Sequence, residues 1–247
     1  MNSPLRPFWR PYFSFDWKLG LFLISIICIP RFYLVLQANQ TANYGPIGAI
    51  MMVSALVPFV FIGRKGAAQI GVRKPSNWPA LFMSFVSGLA LALALYFIGD
   101  LLYSGTFQNW YVYVGQSYNI PDGISPEDKN VLFAVMAGTG MIFSPIGEEL
   151  FFRGIVHGSF ANSLGEKLAS LIDSAAFALT HIAHFGLVYV AGGWNFYFLP
   201  TIIWVIAMFL VSLVFFQMKE KSGSILGAII CHAGFNLGMI YCIFYWL

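Results

Sequence analysis

Two adjacent carboxylates, Glu148 and Glu149, lie inside a stretch of the chain that is otherwise apolar enough for a lipid bilayer. Ionised carboxylates are costly to bury in hydrocarbon, so charged residues within a membrane span are rare and usually functional. Arg153 follows four residues after Glu149, a spacing that lets the two side chains pair on one helix face. Glu148 points about 100° away on the same helix and needs a partner from elsewhere in the chain.

Polar side chains recur at helical spacing in two other apolar segments. The first group is Asp173, Phe177, His181 and His184, and the second group is His232 and Asn236. Residues three and four apart share a helix face, so each group presents its side chains together. At 1.5 Å per residue, Glu148 and His232 each lie roughly 12 Å from the cytoplasmic ends of their predicted spans. We therefore expect Glu148, His181, His232 and Asn236 to meet in one polar cavity in the cytoplasmic half of the membrane.

These residue types could hydrolyse an amide bond without a covalent intermediate. Glu148 and His181 would form a general base by sharing a water. A second histidine, His232, and the amide of Asn236 could donate hydrogen bonds to the developing oxyanion. Other motifs for proteolysis in a membrane are absent from the sequence, which lacks H-E-x-x-H, a G-x-S-G serine motif and the G-x-G-D aspartyl motif.

A zinc ion is a second way to activate water with the same residue types, because carboxylate and imidazole both bind Zn²⁺. The alternative ligand set consists of Glu148, His181, His184 and His232. His181 and His184 lie three residues apart, which is a looser clamp than the i,i+4 spacing of helical zinc motifs. We expect no metal requirement, and the zinc alternative stays open at this point.

Several of these polar residues also have purely structural explanations. A histidine in a membrane helix can simply hydrogen-bond across to a neighbouring helix. We expect Asp173 to pair with a base near the cytoplasmic surface, His157 to lie near the interface and His184 to orient a neighbour. Arg31 directly follows Pro30 and is expected to snorkel or to bind lipid. The sequence does not fix the roles of Asp173, His184 and Arg31.

The composition is that of a membrane protein. Of the 247 residues, 59% are apolar and 9% are charged, whereas soluble domains carry roughly 25% charged residues. The net charge of +3 is small and the basic residues form no long patch, which argues against a nucleic-acid partner. The three cysteines lie in apolar segments without metal-ligand spacing, so we expect them to be buried side chains.

Seven apolar stretches are each near the roughly 20 residues that a helix needs to cross a bilayer. Their approximate bounds are 19–36, 45–62, 79–98, 130–156, 168–190, 196–217 and 224–247. We predict an all-α, polytopic transmembrane helical bundle of about seven spans. Residues 1–129 would supply spans and an outer loop without a recognisable motif, and residues 130–247 would form the catalytic membrane core.

Lysine and arginine residues are concentrated in three connections: 63–78, 157–167 and 218–223. Cytoplasmic loops carry an excess of these residues, so we place the three connections and the N-terminus inside. The remaining connections, including the long acidic stretch 99–129, then face outside.

Two local signals bear on the helix boundaries. Pro30 followed by Arg31 predicts an interruption of the first span, which could then be a re-entrant pair. Ser163 and Glu166 match a capping box, in which a serine and a glutamate three residues later satisfy the first amide groups of a helix. We therefore expect the fifth helix to begin at Ser163.

The three motifs together resemble those of the CPBP family, the CAAX proteases and bacteriocin-processing membrane proteins that are also called the Abi family. The matching residues are Glu148-Glu149-x-x-x-Arg153, Phe177-x-x-x-His181 and His232-x-x-x-Asn236. Their order and their multi-span setting match from about residue 130 to 240. The resemblance implies a glutamic intramembrane endopeptidase in which Glu148 and His181 activate water. It also implies an oxyanion site of His232 and Asn236, supported by Glu149, Arg153 and Phe177.

Two functions stay open at this point. The first is an intramembrane protease that cuts a membrane-associated or small peptide substrate. The second is a non-catalytic bacteriocin-immunity or scaffold protein that uses the polar cavity for binding. The complete set of catalytic residue types favours the protease. We expect a peptide or membrane-protein substrate, a lipid bilayer as surroundings, no cofactor and a multi-pass location in a bacterial cytoplasmic membrane.

The name of the family does not settle the substrate. Bacterial members of the family generally do not cut prenylated CAAX proteins, so a prenylated substrate does not follow from the resemblance. The sequence therefore predicts a reaction type, peptide-bond hydrolysis, and leaves the cleaved peptide unidentified.

Overall fold

The computed structural model describes residues 3–247, and within this range the chain forms ten α-helices and one short β-hairpin. The helices are α1 Trp17–Thr41, α2 Gly45–Phe61, α3 Arg64–Ala67, α4 Pro79–Tyr103, α5 Trp110–Gly115, α6 Pro126–Glu149, α7 His157–Leu164, α8 Glu166–Thr180, α9 Phe198–Ser222 and α10 Ile225–Tyr245. The strands are β1 Leu187–Val190 and β2 Gly193–Phe196. The predicted helical class is confirmed, apart from the hairpin.

Five helices in the described part of the chain are long and apolar enough to cross a membrane. They are α1, α4, the continuous run Pro126–Leu164, α9 and α10, while α2 is apolar but shorter. The predicted fifth span, 168–190, does not form one helix, because α8 ends at Thr180 and β1 begins at Leu187. The count of seven crossing helices is therefore not confirmed. An apolar run alone does not distinguish helix from strand.

Helix α1 runs without a break through Pro30 and Arg31. Its N-terminus is capped by Asp16, whose carboxylate accepts hydrogen bonds from the backbone amides of Lys18 and Leu19. A proline is tolerated in a membrane helix because neighbouring groups satisfy the carbonyl that it frees. The predicted interruption of the first span is therefore wrong. The continuous helix carries Arg31 into the interior, where the residue is 3% exposed.

The turn between α7 and α8 is made by Gly165, which has a positive φ of 82°. Glycine reaches this conformation without the steric penalty that other residues incur. Ser163 lies in the last turn of α7, and its Oγ accepts a hydrogen bond from Trp17 N at 3.2 Å. The predicted capping box at Ser163 is therefore wrong, since glycine takes the N-cap position and α8 begins at Glu166.

Helix α6 continues through a π-helical segment, Leu150–Val156, into α7. Every residue of this segment is buried, and π-helical turns often occur at functional sites. Just before it, Gly147 allows α6 to approach α2 closely. A Cβ atom built on Gly147 would lie 2.6 Å from Met51 O. Glu148 and Glu149 therefore follow directly on a tight contact between two helices.

The predicted outer loop 99–129 is partly helical and packs into the bundle. It contains α5, where Trp110 and Tyr111 are fully buried. Both side chains hydrogen-bond to α4: Trp110 Nε1 donates to Leu95 O at 3.2 Å, and the Tyr111 hydroxyl donates to Ala92 O at 2.6 Å. Buried tryptophan and tyrosine usually satisfy their polar ends in this way. This connection is therefore part of the folded bundle.

The three basic connections meet at one end of the bundle, which we call the basic-loop end. Arg73, Glu166 and Glu220 come one from each connection and line the same surface pocket. Arg73 Nε also donates to Gly223 O at 2.7 Å. This grouping agrees with the prediction that the three connections lie on one side of the membrane.

The connection between α1 and α2, helix α5 and the hairpin lie together at a second end, which we call the hairpin end. Tyr44, Tyr113 and Tyr189, one from each of these elements, line a common cavity. The Tyr113 hydroxyl accepts a hydrogen bond from Tyr189 N at 2.9 Å, which ties α5 to strand β1. The two ends are therefore built by different sets of connections.

Candidate active site

Glu148 is buried at 2% exposure, and its carboxylate is held through one oxygen. Oε1 accepts from the Arg31 guanidinium at 2.9 Å and from the Ser144 hydroxyl at 2.6 Å. Ser144 lies one turn earlier on α6, whereas Arg31 comes from α1. Buried charges need a paired counter-charge, so Arg31 is the partner that the sequence left unassigned. The expectation that Arg31 snorkels or binds lipid is wrong, because its side chain is enclosed in the bundle.

The second carboxylate oxygen of Glu148 faces His181. His181 Nε2 lies 3.8 Å from Glu148 Oε2, which is too far for a direct hydrogen bond. The other ring nitrogen, Nδ1, lies 2.7 Å from Phe177 O. A carbonyl only accepts, so Nδ1 carries the proton and Nε2 of the neutral ring presents a lone pair. The two atoms that face each other are therefore both hydrogen-bond acceptors.

The imidazole of His181 is positioned by the end of α8. The helix gives way there to a single 3-10 turn, His181–Ala183. Trp204 Nε1, from α9, donates to His181 O at 3.0 Å. The Phe177 ring packs against the imidazole with centroids 4.2 Å apart. Contacts from two helices therefore fix the direction of Nε2.

His232 pairs with the other glutamate. Its Nδ1 lies 2.8 Å from Glu149 Oε1, and its ring stacks on Phe215 with centroids 4.7 Å apart and an interplanar angle of 18°. A carboxylate accepts only, so Nδ1–H donates to Glu149. Nε2 can then act as a second donor only when the ring carries both protons.

Arg153 and Glu149 form the ion pair that their i,i+4 spacing predicted, with Nε and Oε2 3.2 Å apart and both side chains fully buried. Arg153 Nη2 also donates to the Ser212 hydroxyl on α9. Its guanidinium carbon lies 4.4 Å from the centroid of the Phe177 ring, within cation–π range. Arg153 therefore connects α6, α8 and α9 behind the two histidines.

The four predicted catalytic residues line one cavity of about 250 Å³. They are Glu148, His181, His232 and Asn236. Arg31, Phe177 and His184 line it as well. Asn236 Nδ2 donates to Gly140 O at 2.9 Å, which uses one of its two amide hydrogens. The convergence on one cavity is as the sequence predicted, while the depth of this cavity in a bilayer stays a prediction.

The four residues of the zinc alternative do not form a metal-binding group among the described residues. Among residues 3–247, no group of three or more His, Cys, Asp or Glu side chains is arranged to hold a metal ion. His184 lies beside His181, with ring centroids 5.3 Å apart. A cation bound to Glu148 Oε1 would also be repelled by the Arg31 guanidinium, which already lies 2.9 Å from that oxygen.

Asp173 lies on α8 with Phe177 and His181, but its carboxylate takes part in a different contact. Asp173 Oδ2 lies 2.6 Å from His157 Nδ1, and Glu166 Oε2 lies 2.7 Å from His157 Nε2. The expectation that Asp173 pairs with a base is confirmed. The pair joins α7 to α8 at the basic-loop end, away from the residues that line the cavity.

Two atoms at the contact between Arg31 and Glu148 are buried without a hydrogen-bond partner among residues 3–247. They are Arg31 Nε and Glu148 Oε2. Buried polar atoms in proteins are usually satisfied by other groups or by ordered water. Both residues line the cavity, so a water or a polar group of a ligand in the cavity could satisfy them.

Sequence reasoning missed the roles of Arg31 and Ser144. Arg31 is a lone charge within an apolar span, which already marks it as a residue in need of a buried partner. Ser144 lies four residues before Glu148, at the spacing of helical side-chain pairs. Both signals were present in the sequence, but neither named the contact, because Arg31 and Glu148 lie 117 residues apart.

These features define a class of protein: a helical bundle with apolar crossing helices, in which a buried polar cavity carries a glutamate, two histidines and an asparagine. Residues 130–238 match the family model described as type II CAAX prenyl endopeptidase, Rce1-like. The matched residues include all three motifs from which the resemblance was predicted, and the matched family is one of proteases. No curated protein and no solved structure matches the chain.

Proposed function

We propose that the protein is an intramembrane endopeptidase that hydrolyses a peptide bond with a water activated by Glu148 and His181. The observation that carries this proposal is the 3.8 Å separation of Glu148 Oε2 and His181 Nε2 in a shared cavity. Both atoms accept hydrogen bonds, and a separation beyond direct contact invites a bridging water. Such a water donates one hydrogen to each atom and directs its oxygen lone pairs at the substrate.

The reaction requires no covalent intermediate. The water oxygen attacks the peptide carbonyl carbon while its proton passes to the Glu148–His181 pair. The same pair returns the proton to the amine nitrogen as the C–N bond breaks. Peptide and water are converted to a carboxylic acid and an amine, so the pair is restored after each turnover.

His232 and Asn236 stabilise the negative charge that develops on the carbonyl oxygen. His232 donates from Nε2 when its ring is charged, and its contact with Glu149 holds the ring in that orientation. Asn236 contributes the amide hydrogen that Gly140 does not use. Donors that are in place before the reaction stabilise an oxyanion without reorganisation, and removal of one costs about 10²–10³-fold in rate. Phe177 packs against His181 and His232, and Arg153 packs against Phe177.

The substrate that we propose is a peptide or a membrane-protein segment, cut within a bacterial cytoplasmic membrane. The matched family model is named for prenylated CAAX proteins, but the proposal for this chain requires only a peptide bond that reaches the cavity. The experiment compares peptides released by cells that express the wild type, Glu148→Gln or Glu127→Gln, using mass spectrometry. Glu127 is an exposed glutamate on the same helix and serves as the matched control.

Peptides that appear with the wild type and with Glu127→Gln, but not with Glu148→Gln, support the proposal. An identical set of peptides from all three strains would contradict it. If a cellular phenotype of the protein also survived Glu148→Gln, the cavity would serve for binding, as in a bacteriocin-immunity or scaffold protein.

A further inference from the structure

The cavity at Glu148 extends towards the hairpin end of the bundle. Along α10 its lining proceeds from His232 through Asn236 to Ile240, in the direction of the C-terminus. Beyond these residues the lining includes Tyr44 and Ser117, from the connections at the hairpin end. We call this space the inner cavity.

A second cavity of about 210 Å³ adjoins the inner cavity on the side of the hairpin end. We call it the outer cavity. The residues shared by the two cavities are Tyr44, Val114, Ser117 and His184. The rim of the outer cavity includes Ala42, Gln116 and Asn119, which are all exposed. The two cavities therefore lie one after the other between the exposed rim at the hairpin end and Glu148.

The basic-loop end is packed beneath the two glutamates. Phe151, Phe152 and Ile155 of the π-helical segment are at most 1% exposed. The surface pocket at this end, lined by His157, Glu166 and other residues, has no lining residue in common with the inner cavity. Within the described residues, the inner cavity therefore adjoins the outer cavity at the hairpin end and has no such connection to the pocket at the basic-loop end.

The outer cavity has the chemistry of a peptide site. Its lining consists of tyrosine, asparagine, glutamine, serine, alanine and valine side chains together with His184. A phenol is uncharged at neutral pH, and burial raises the pKa of Tyr44 further above its usual value. Uncharged donors and acceptors suit a peptide backbone, and tyrosine rings suit apolar side chains. Neither cavity alone reaches the roughly 300–1,000 Å³ of ligand sites, but the two together do.

We propose that the outer cavity is the entrance and binding groove for a polypeptide substrate, which reaches Glu148 from the hairpin end. The basic connections lie at the other end and are expected inside by their charge. The substrate is then a peptide or membrane-protein segment on the extracytoplasmic side. This inference rests on the proposed endopeptidase function for the nature of the ligand. The depth of Glu148 in the bilayer and the side from which it is reached are separate properties.

The test uses single cysteines and a charged, membrane-impermeant thiol reagent, applied to intact cells and to sealed inside-out vesicles. Ser117→Cys probes both cavities, Met239→Cys probes the deep part of the inner cavity, and Lys74→Cys probes the basic-loop end. Leu210→Cys is a control on the outer, apolar surface of α9. The parent chain, whose three cysteines are buried, gives the background.

We expect the reagent to label Ser117→Cys and Met239→Cys in intact cells but not in inside-out vesicles. It should label Lys74→Cys in inside-out vesicles but not in intact cells. Leu210→Cys should match the background. Labelling of Ser117→Cys from the same side as Lys74→Cys, or from neither side, would overturn the proposal. The same pattern is expected in a Glu148→Gln chain, so this test can fail or succeed independently of proteolysis.

Discussion

At the scale of residues, the two oxygens of Glu148 have different surroundings. Oε1 receives a guanidinium and a hydroxyl, whereas Oε2 faces a ring nitrogen across a gap. In the mechanism that we propose, this asymmetry leaves Oε2 available to the water. Arg31 creates the asymmetry from outside the matched family region, so the surroundings of Glu148 depend on a residue that the three motifs do not contain.

We predict that Arg31→Met lowers the free energy of unfolding by about 3–5 kcal/mol, because it leaves the Glu148 charge buried without its partner. The double variant Arg31→Met with Glu148→Gln should be more stable than Arg31→Met alone, since it removes both charges. The measurement is denaturant unfolding of purified protein in detergent. Arg64→Met, at an exposed arginine, is the control and should resemble the wild type. Additive losses in the double variant would show that the ion pair is not the cause.

We predict that Asn236→Ala lowers kcat by about 10²–10³-fold and leaves a measurable rate, because it removes one oxyanion donor and keeps the base. His232→Ala should lose more, since it also leaves Glu149 without a hydrogen-bond donor on Oε1. The measurement is the initial rate of peptide cleavage by purified variants, with thermal unfolding as a check on folding. A wild-type rate for Asn236→Ala would remove this residue from the proposed oxyanion site.

At the scale of elements, the long run from α6 to α7 positions both glutamates. Gly147 brings α6 close to α2 immediately before Glu148, and the π-helical segment follows Glu149. The relative placement of α2 and α6 therefore bears on the position of Glu148. Neither the close approach nor the π-helical segment could be predicted from helical periodicity, since both arise where one helix meets another.

We predict that Gly147→Ala lowers the thermal midpoint of unfolding and the cleavage rate together, because the added methyl group would clash with Met51 O and push α2 from α6. Gly138→Ala lies on the same helix and meets nothing within 4 Å, so it is the matched control. Its midpoint should stay at or above that of the wild type, since alanine favours a helix more than glycine does. Equal behaviour of the two variants would contradict the packing argument.

The sequence predicted some elements and not others for physical reasons. The pairing of Glu149 with Arg153 followed from spacing, because residues four apart are neighbours in any helix. The hairpin was missed because Leu187–Val190 continues the apolar character of α8, and an apolar run fits helix and strand alike. The capping signal at Ser163 failed because Gly165 offered a sharper turn two residues later.

At the scale of the whole molecule, the two ends of the bundle differ in charge and in packing. The basic-loop end gathers the positive connections and is closed by apolar packing beneath Glu149. The hairpin end supplies the lining between Glu148 and the surface. Residues 1–129 contribute Arg31 and part of the cavity wall, while the predicted division of the chain at residue 129 stays a prediction.

We predict that the C-terminus lies on the opposite side of the membrane from the connection that contains Lys74. Helix α10 begins at the basic-loop end, where Ile225 N donates to Gly71 O at 2.8 Å, and crosses the bundle from there. An alkaline phosphatase fusion after Leu247 should be active in cells, because this enzyme is active only outside the cytoplasm. A fusion after Lys74 should be inactive. The reverse pattern would contradict the assigned orientation.

In the proposed mechanism, Glu148 and His181 act as one water-activating unit. The most direct test of this mechanism is the cleavage rate of purified protein in lipid vesicles, with the peptide that the cellular comparison identifies. Glu148→Gln and His181→Ala should each lose about 10²–10⁴-fold in rate while remaining folded. The double variant should be hardly slower than either single variant, because the two residues act together. Cleavage by Glu148→Gln at the wild-type rate would contradict the account.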